Sequence, residues 1–239
     1  MGDEVDDGVR AYDLAAEDYA VHYPTTEPEQ PADLDAVRSW AAGLAGPTGQ
    51  AGITPRVLDA GCGTGRMARF VSDVAGGRVR IAGADPSAGM LAVARREHPW
   101  LPVHRAGLTA LPLADETLDG VLAWYSTIHL TDAALPGALR EVRRVLRPGG
   151  SVLLGFQSGA GTHEVGAAFR SLGHEVSLVR HHRTPEVMAA AAERAGLEVV
   201  AARARPAAGR ERDPQAVVLG RRPEATPGGS DRGTPGAQS

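Results

Sequence analysis

Arg56-Val57-Leu58-Asp59-Ala60-Gly61-Cys62-Gly63-Thr64-Gly65-Arg66 is the stretch on which the reading of this chain turns. Val57 and Leu58 read as the end of a buried strand. Asp59 stands where that strand meets its loop, and Gly61, Gly63 and Gly65 alternate before a helical pattern begins. Glycine lacks a Cβ, so the turn can take positive φ and present main-chain N–H groups at a helix start, where the dipole favours a carboxylate or phosphate. Strand, glycine turn and helix together predict a nucleotide-type binding corner.

The rest of the composition limits what can be attached to that corner. With 239 residues, 43% of them hydrophobic, the chain suits one α/β domain with a full core. Only 4% of residues are aromatic, so the core is expected to be aliphatic. The formal charge of −4 and the lack of a basic tract give no electrostatic footprint for nucleic acid or an anionic membrane, which points to a small-molecule partner. All 25 residues counted as Lys or Arg are arginine. That excludes Schiff-base and pyridoxal-phosphate chemistry, which need a lysine amine, and a P-loop, which needs its lysine on the phosphates.

The single cysteine, Cys62, cannot form an intramolecular disulfide or a cysteine-rich metal site, and it suits a reducing compartment. The first residues are acidic where a secretion signal would be basic and then apolar, and no apolar run has the length of a membrane span, so a cytoplasmic location is expected.

In chain order, an acidic lead is followed by a predicted helix in which Tyr12, Tyr19 and Tyr23 share one side and which Pro24 ends. Those rings could close over a ligand or pack the helix onto the domain; the spacing allows both. A second helix over Asp33 to Ala45 carries Leu34, Val37, Trp40, Ala41 and Leu44 on one stripe and is expected to cover a sheet face before Gly46-Pro47. After the glycine loop, Met67, Phe70, Val71 and Val74 continue a helix to Gly76-Gly77. The second strand ends at Asp85, where a carboxylate is well placed to accept both hydroxyls of a ribose.

A short third strand is expected at Pro102 to His104 and a fourth from Gly120 to Trp124. A helix from Leu135 to Leu146 points Leu135, Leu139 and Val142 inward and leaves Arg140, Arg143, Arg144 and Arg147 on a solvated face. Arg147-Pro148-Gly149-Gly150 ends it before a fifth strand, Ser151 to Phe156. A variable stretch runs from Gln157 to Arg180. A helix capped by Thr184 and two last strands, at Leu197 to Ala202 and Gln215 to Gly220, complete the pattern. Alternating strands and helices predict a mostly parallel sheet. Residues 223–239 lack apolar content and are expected to be disordered.

Four segments in succession carry a family resemblance: Val57 to Gly65, the Asp85-Pro86 strand end, Leu111 to Asp119 before the fourth strand, and Leu146 to Gly150 before the fifth. Together they resemble the ordered signatures of class I S-adenosylmethionine-dependent methyltransferases of the small-molecule type, over about Tyr12 to Arg222. The resemblance implies a Rossmann-like, doubly wound α/β fold with a mostly parallel seven-stranded sheet, an antiparallel last strand and N-terminal helices. It implies one domain over 1–222, with 1–50 a helical cover. The implied activity is transfer of the methyl of S-adenosylmethionine to a small-molecule oxygen, nitrogen, carbon or sulfur, leaving S-adenosylhomocysteine.

Carried over by residue, the resemblance places the methionine end of the cofactor on Asp59, Gly61, Cys62 and Gly63, with Gly65 allowing close helix packing and Arg66 holding the carboxylate. Asp85 would bind the ribose, with Pro86, Met90 and Leu108 beside the adenosine. Ala123 and Trp124 would lie beside the sulfonium, under Tyr12 and Tyr19. Where many members of the family have an acidic residue for the adenine amino group, this chain has Gly107.

His129 is placed at the pocket rim as a candidate base or substrate contact, with Tyr125 and Ser126 beside it. His163, His174, His181 and His182 lack a carboxylate at ligand spacing and read as surface residues, with His181-His182-Arg183 alternatively binding an acidic substrate. A dehydrogenase is disfavoured by G-x-G-x-G in place of G-x-G-x-x-G. A non-catalytic protein that keeps the fold is the standing alternative.

Overall fold

Val57 and Leu58 do lie in a strand, and it runs through the middle of a sheet. The computed structural model describes residues 3–45, 54–170 and 173–224. In chain order its elements are α1 (Asp3–Leu14), α2 (Ala16–His22), α3 (Pro31–Ala45), β1 (Arg56–Ala60), α4 (Arg66–Val74), β2 (Arg80–Asp85), α5 (Ala88–Glu97), β3 (Val103–Arg105), β4 (Leu118–Trp124), α6 (Leu135–Val145), β5 (Leu146–Gln157), β6 (Thr162–Glu164), α7 (Ala167–Arg170), β7 (Val179–His181), α8 (Pro185–Arg194), β8 (Glu198–Arg205) and β9 (Gln215–Arg221). A 3₁₀ turn, Thr127–His129, follows β4.

Seven strands form one sheet in the order β3-β2-β1-β4-β5-β9-β8. The neighbours from β3 to β5 pair in parallel, and β9, the last strand of the chain, runs antiparallel to both β5 and β8. Strand order reverses between β1 and β4, the switch point outside whose carboxyl ends open α/β sheets bind ligands. Asp59, Asp85 and Trp124 stand at those ends.

Helices pack on both faces of the sheet. Leu58, Val121, Val152 and Leu154 pack with Leu139, Val142 and Met188 of α6 and α8. On the other face Val57, Ile81, Leu122 and Leu153 meet Val37 and Trp40 of α3 and Met67 and Val71 of α4, so the Asp33 helix covers the sheet as its stripe predicts. Gly120 allows that approach: a Cβ there would lie 2.5 Å from Leu44 Cδ1 and 2.8 Å from Trp40 Cζ2.

The structure departs from the sequence reading in several places. The tyrosine helix is two helices, which break at Ala15 and take in the acidic lead. The break lets both lie on α5, where Asp13 Oδ1 accepts Ser87 Oγ–H at 2.7 Å and the Gly89 N–H at 2.9 Å. β5 begins at Leu146, with Arg147 to Gly150 inside it, because the Gly149 and Arg222 amides bond to carbonyls of the β9 end and of Gly150.

The α6 arginines are not simply solvated. Arg144 reaches the Leu111 and Leu113 carbonyls, Glu141 and Asp115; Arg143 donates to the Gly196 carbonyl; and Arg147, which falls in β5, pairs with Asp119. The helix-free β3–β4 connection leaves backbone acceptors that a guanidinium fork can satisfy. Residues 157–181 hold the β6/β7 hairpin and α7, against which α1 buries Ala11 beside Val176 and Leu178. Gly46-Pro47 and residues 225–239, expected as a helix end and a disordered tail, lie outside the described residues. No helix among the described residues is long and apolar enough to cross a membrane.

Candidate functional site

The glycine loop is braced on β2 before it meets anything else. The Gly61 and Cys62 N–H groups donate to the Ala84 carbonyl at 2.7 and 3.0 Å. Gly61 takes φ +83°, and a Cβ there would sit 2.2 Å from Ser126 Cβ, so only glycine lets this loop touch the segment after β4. Cys62 is buried, with its Sγ 2.6 Å from where a Gly83 Cβ would stand. Burial pushes its thiol up, which removes it as a nucleophile and leaves it a packing role.

Asp85 is held by main-chain donors: Gly63 N–H to Oδ2 and Ser87 N–H to Oδ1, both 2.9 Å. Burial raises its pKa to about 6 against the pull of those two N–H groups. Each carboxylate oxygen keeps a lone pair for a further donor, which is what a ribose diol requires. Asp59 is 1% exposed, and burial together with Asp85 raises it to about 7, opposed by Arg66.

Asp59 Oδ2, Trp124 Nε1 and Ser126 Oγ are buried without a hydrogen-bond partner. All three stand at or just beyond the carboxyl ends of the adjacent strands β1 and β4. Unpaired buried polar atoms cost about 1–3 kcal/mol each and are rare in folded proteins, so a cluster of them marks a place a polar ligand completes. Donors and acceptors of this kind, beside the Asp85 carboxylate, fit a nucleoside carrying an amino acid.

Arg66 makes a buried ion pair with Glu29, from the segment between α2 and α3; their side chains are 12% and 4% exposed. Arg66 also contacts the Tyr19 phenol, and Glu29 Oε2 is left unpartnered. The residue expected to hold the ligand carboxylate is thus already engaged by an internal one.

His129 is half-buried between α1 and β7. Its Nδ1 lies 2.7 Å from the Val179 carbonyl oxygen, which can only accept, so Nδ1 carries the hydrogen. Burial first, then Arg180 and His181, lower its pKa to about 4. The ring is therefore neutral, and its bare Nε2 accepts the Tyr12 O–H at 3.0 Å. Burial pushes the Tyr12 phenol up, which keeps that hydrogen in place. Tyr12 also meets Phe169 edge-on, at 5.7 Å between ring centroids, so α1, the β4 rim and the 157–181 segment close on one another here.

Of the other expected site residues, Met90 is buried beneath Tyr12 and Tyr19, and Leu108 and Ala123 are buried in the core. The Pro86 carbonyl is engaged by Arg105. A Gly65 Cβ would stand 2.8 Å from His98 Cδ2, so glycine there does allow the close packing expected of it. Tyr125 takes φ +53° and donates its hydroxyl to Gln215 Oε1 at 2.8 Å, on β9. Gly107 has open space where a Cβ would stand.

The surface reading of the histidines does not hold for His182, which is buried and stacks on His163 at 4.0 Å. His174 pairs with Asp18 at 2.7 Å, tying α2 to the insertion. Arg183 is not free for an acidic substrate: its buried side chain donates to the Thr127 and Leu130 carbonyls and pairs with Asp132, pinning the turn that carries His129. Asp13, Glu29 and Gln215 are the participants the sequence did not single out. Each is an isolated polar residue whose partner lies far along the chain, and no local pattern marks it.

Residues 57–150 match the family model described as a methyltransferase domain. That stretch, from β1 to the start of β5, is similar to a methyltransferase domain. The chain is 37% identical over 139 residues to a malonyl-[acyl-carrier protein] O-methyltransferase of Erwinia pyrifoliae, covering 57% of this chain and 50% of that protein. It is 34% identical over 96 residues to a demethylmenaquinone methyltransferase of Chlorobaculum parvum, covering 40% and 38%. The chain thus spans about half the length, or less, of these curated relatives. The domain shares its fold with the Burkholderia thailandensis 1,6-didemethyltoxoflavin-N1-methyltransferase, solved with S-adenosylhomocysteine, at TM-score 0.59 and 18% identity over 88% of each chain. It also shares it with SpnF, described as a [4+2]-cyclase, at TM-score 0.61 and 19% identity over 80% of this chain and 81% of that one.

Proposed function

We propose that this chain binds S-adenosylmethionine at the β1–β4 switch point and transfers its methyl group to a small-molecule acceptor. The observation that carries the reading is the Asp85 carboxylate, fixed by the Gly63 and Ser87 amides at the end of β2, together with Asp59, whose Oδ2 has no partner. Asp85 would take the ribose hydroxyls, with Met90 and Leu108 beside the base. Asp59, Ser126 and the Gly61–Gly63 loop would hold the amino-acid end, with Arg66 shared between its carboxylate and Glu29. When bound, the cofactor supplies an electrophilic methyl on a sulfonium.

Displacement at that methyl needs the acceptor aligned and water kept out, and orientation alone can supply most of the rate. A base works best with a pKa near the working pH. At about 4, His129 is too weak to take a full proton early. Its role in this reading is to accept a hydrogen bond and orient the acceptor once Tyr12 has swung away from Nε2. A cytoplasmic location, a single functional unit over 1–222 and an acceptor that is neither nucleic acid nor lipid bilayer accompany this reading.

A second reading keeps the cofactor but not the transfer. It is favoured by the Tyr12 hydroxyl that occupies His129 Nε2 and by the likeness to SpnF. Calorimetry with S-adenosylmethionine and S-adenosylhomocysteine tests the site; absence of heat with both sinks the cofactor assignment. Release of S-adenosylhomocysteine across an acceptor library, above a no-acceptor control, separates the two readings.

A further inference from the structure

One stretch of the sheet lacks the cover the others have. The crossovers β1 to β2, β2 to β3 and β4 to β5 carry α4, α5 and α6, whereas β3 passes to β4 through residues 106–117 without a helix. Between that connection and the sheet lies a groove of about 480 Å³, the size of a small-molecule site. Leu58, Ala82 and Ala84 form its floor and Leu111, Leu113 and Leu118 its far wall.

Among the described residues its ionisable lining is all basic: Arg56, Arg80 and His104. The register pairs Arg56 with Arg80 and Ala84 with His104. Side chains alternate along a strand, so Arg56 shares a face with Leu58, and Arg80 and His104 share it with Ala82 and Ala84. The two guanidiniums therefore stand abreast on neighbouring strands at one end of an apolar trough. Asp119, the nearest acid in register, pairs with Arg147 and takes the Arg56 backbone N–H, not its side chain. Neither guanidinium has a carboxylate partner among the described residues. Like charges abreast repel, and an anion between them would relieve that. A rise of about 3.3 Å per residue sets Arg80 about 13 Å from Ala84 along the floor.

We propose that this groove is a binding site for an anionic amphiphile: a medium-length alkyl chain ending in one carboxylate or phosphate, taken as a free monomer. Arg56 and Arg80 hold the head and the alanine floor takes the tail. The head sits at the amino ends of β1 and β2, whereas Asp59 and Asp85 stand at their carboxyl ends, so this site is separate from the cofactor site and does not depend on methyl transfer.

The test is calorimetry of the full chain with decanoate and with decyl phosphate, each below its micelle concentration. At least one is expected to bind saturably at one per chain, while decyltrimethylammonium does not. The double variant Arg56→Gln, Arg80→Gln alters two exposed side chains and is expected to keep the fold, which circular dichroism checks. It should weaken binding about tenfold or more, the worth of one or two charge-assisted hydrogen bonds. Ala82→Phe, which fills the floor, should abolish binding, and saturating S-adenosylhomocysteine should leave it unchanged. The proposal is overturned by no saturable binding of either anion, by equal binding to the double variant, by competition from S-adenosylhomocysteine, or by uptake on anionic vesicles alone. None of these readouts needs the cofactor to bind, so a failure here and a failure of the methyltransferase reading are told apart.

Discussion

Tyr12 donates its phenolic hydrogen to Nε2 of His129 across 3.0 Å, joining residues 117 positions apart. This bond, with the Val179 carbonyl on Nδ1, fixes one tautomer, while burial lowers the tendency of the ring to charge against the pull of that carbonyl. His129 is held near pKa 4, below its ordinary 6.5, so between those values the unfolded chain binds more protons than the folded one. Its contribution to stability is therefore full above the ordinary value and is lost as pH falls toward 4. Urea midpoints at pH 7.5 and 5 are expected to drop less in His129→Asn than in the parent. An imidazole that titrates near 6.5 by NMR in the folded chain contradicts the assignment. Tyr12→Phe should cost about 1 kcal/mol, the net worth of one hydrogen bond.

Asp85 sets a second pH dependence, in ligand binding. Its folded value is raised to about 6 and that of Asp59 to about 7. Both carboxyls are therefore largely protonated in the folded site at mildly acidic pH, and their charged forms, which accept ribose or ammonium hydrogens, appear as pH rises. Affinity for S-adenosylhomocysteine is expected to climb between pH 5 and 7.5, and Asp85→Asn should remove part of that slope. Asp85→Ala should weaken binding by at least about tenfold, from the loss of charge-assisted bonds. Unchanged affinity in Asp85→Ala refutes the ribose role.

Gly107 offers a gain-of-affinity test. Nothing lies within 4 Å of where its Cβ would be. Gly107→Asp should fit without strain and supply the carboxylate that many family members direct at the adenine amino group. Tighter binding of S-adenosylhomocysteine, by about threefold to tenfold for one added hydrogen bond to a charged group, is the expected result. No change, with the fold intact, would place the adenine elsewhere.

Glu29 and Arg66 form the best-buried ion pair on the cofactor side of the molecule. Removing one partner strands the other charge, so Arg66→Met or Glu29→Gln alone should destabilise by about 3–5 kcal/mol, whereas replacing both with apolar residues should cost much less. Urea unfolding of the two single variants and the double reads this directly. Single-variant losses under about 1 kcal/mol would mean that water reaches the pair.

Arg183 acts on the site through the turn it pins. Its forked contacts to Thr127, Leu130 and Asp132 cannot be reproduced by a lysine point charge. Arg183→Lys is expected to lower stability by more than about 2 kcal/mol and to shift the His129 NMR titration. A destabilised variant with an unmoved His129 titration would restrict Arg183 to a structural role.

The donor side of this site was legible in the sequence because it depends on local backbone geometry. Three glycines, an acid at each of two strand ends and a buried strand between helical periods require only short-range sterics and hydrogen bonding. β1, α4, β2 and α5 accordingly fall where the pattern puts them. The aliphatic stripes of α3 and α6 likewise fixed which faces meet the sheet, since burial follows periodicity.

The covering side was not legible, because it is made of long-range polar pairs. Nothing near Tyr12 announces His129, nothing near Glu29 announces Arg66, and Arg183 reads as part of a solvated histidine run until the fold carries it under the β4 rim. The arginines of α6 looked free for the same reason: the carbonyls they satisfy are exposed only because the β3–β4 connection forms no helix. The glycine loop and its two acids are thus the sequence's own statement of where the proposed cofactor would sit. Tertiary packing alone decided that Arg66 is shared with Glu29, that His129 is neutral and capped by Tyr12, and that a basic-ended apolar groove stays open on the sheet. Side-chain hydrogen bonds and desolvation depend on neighbours that only the folded chain brings together.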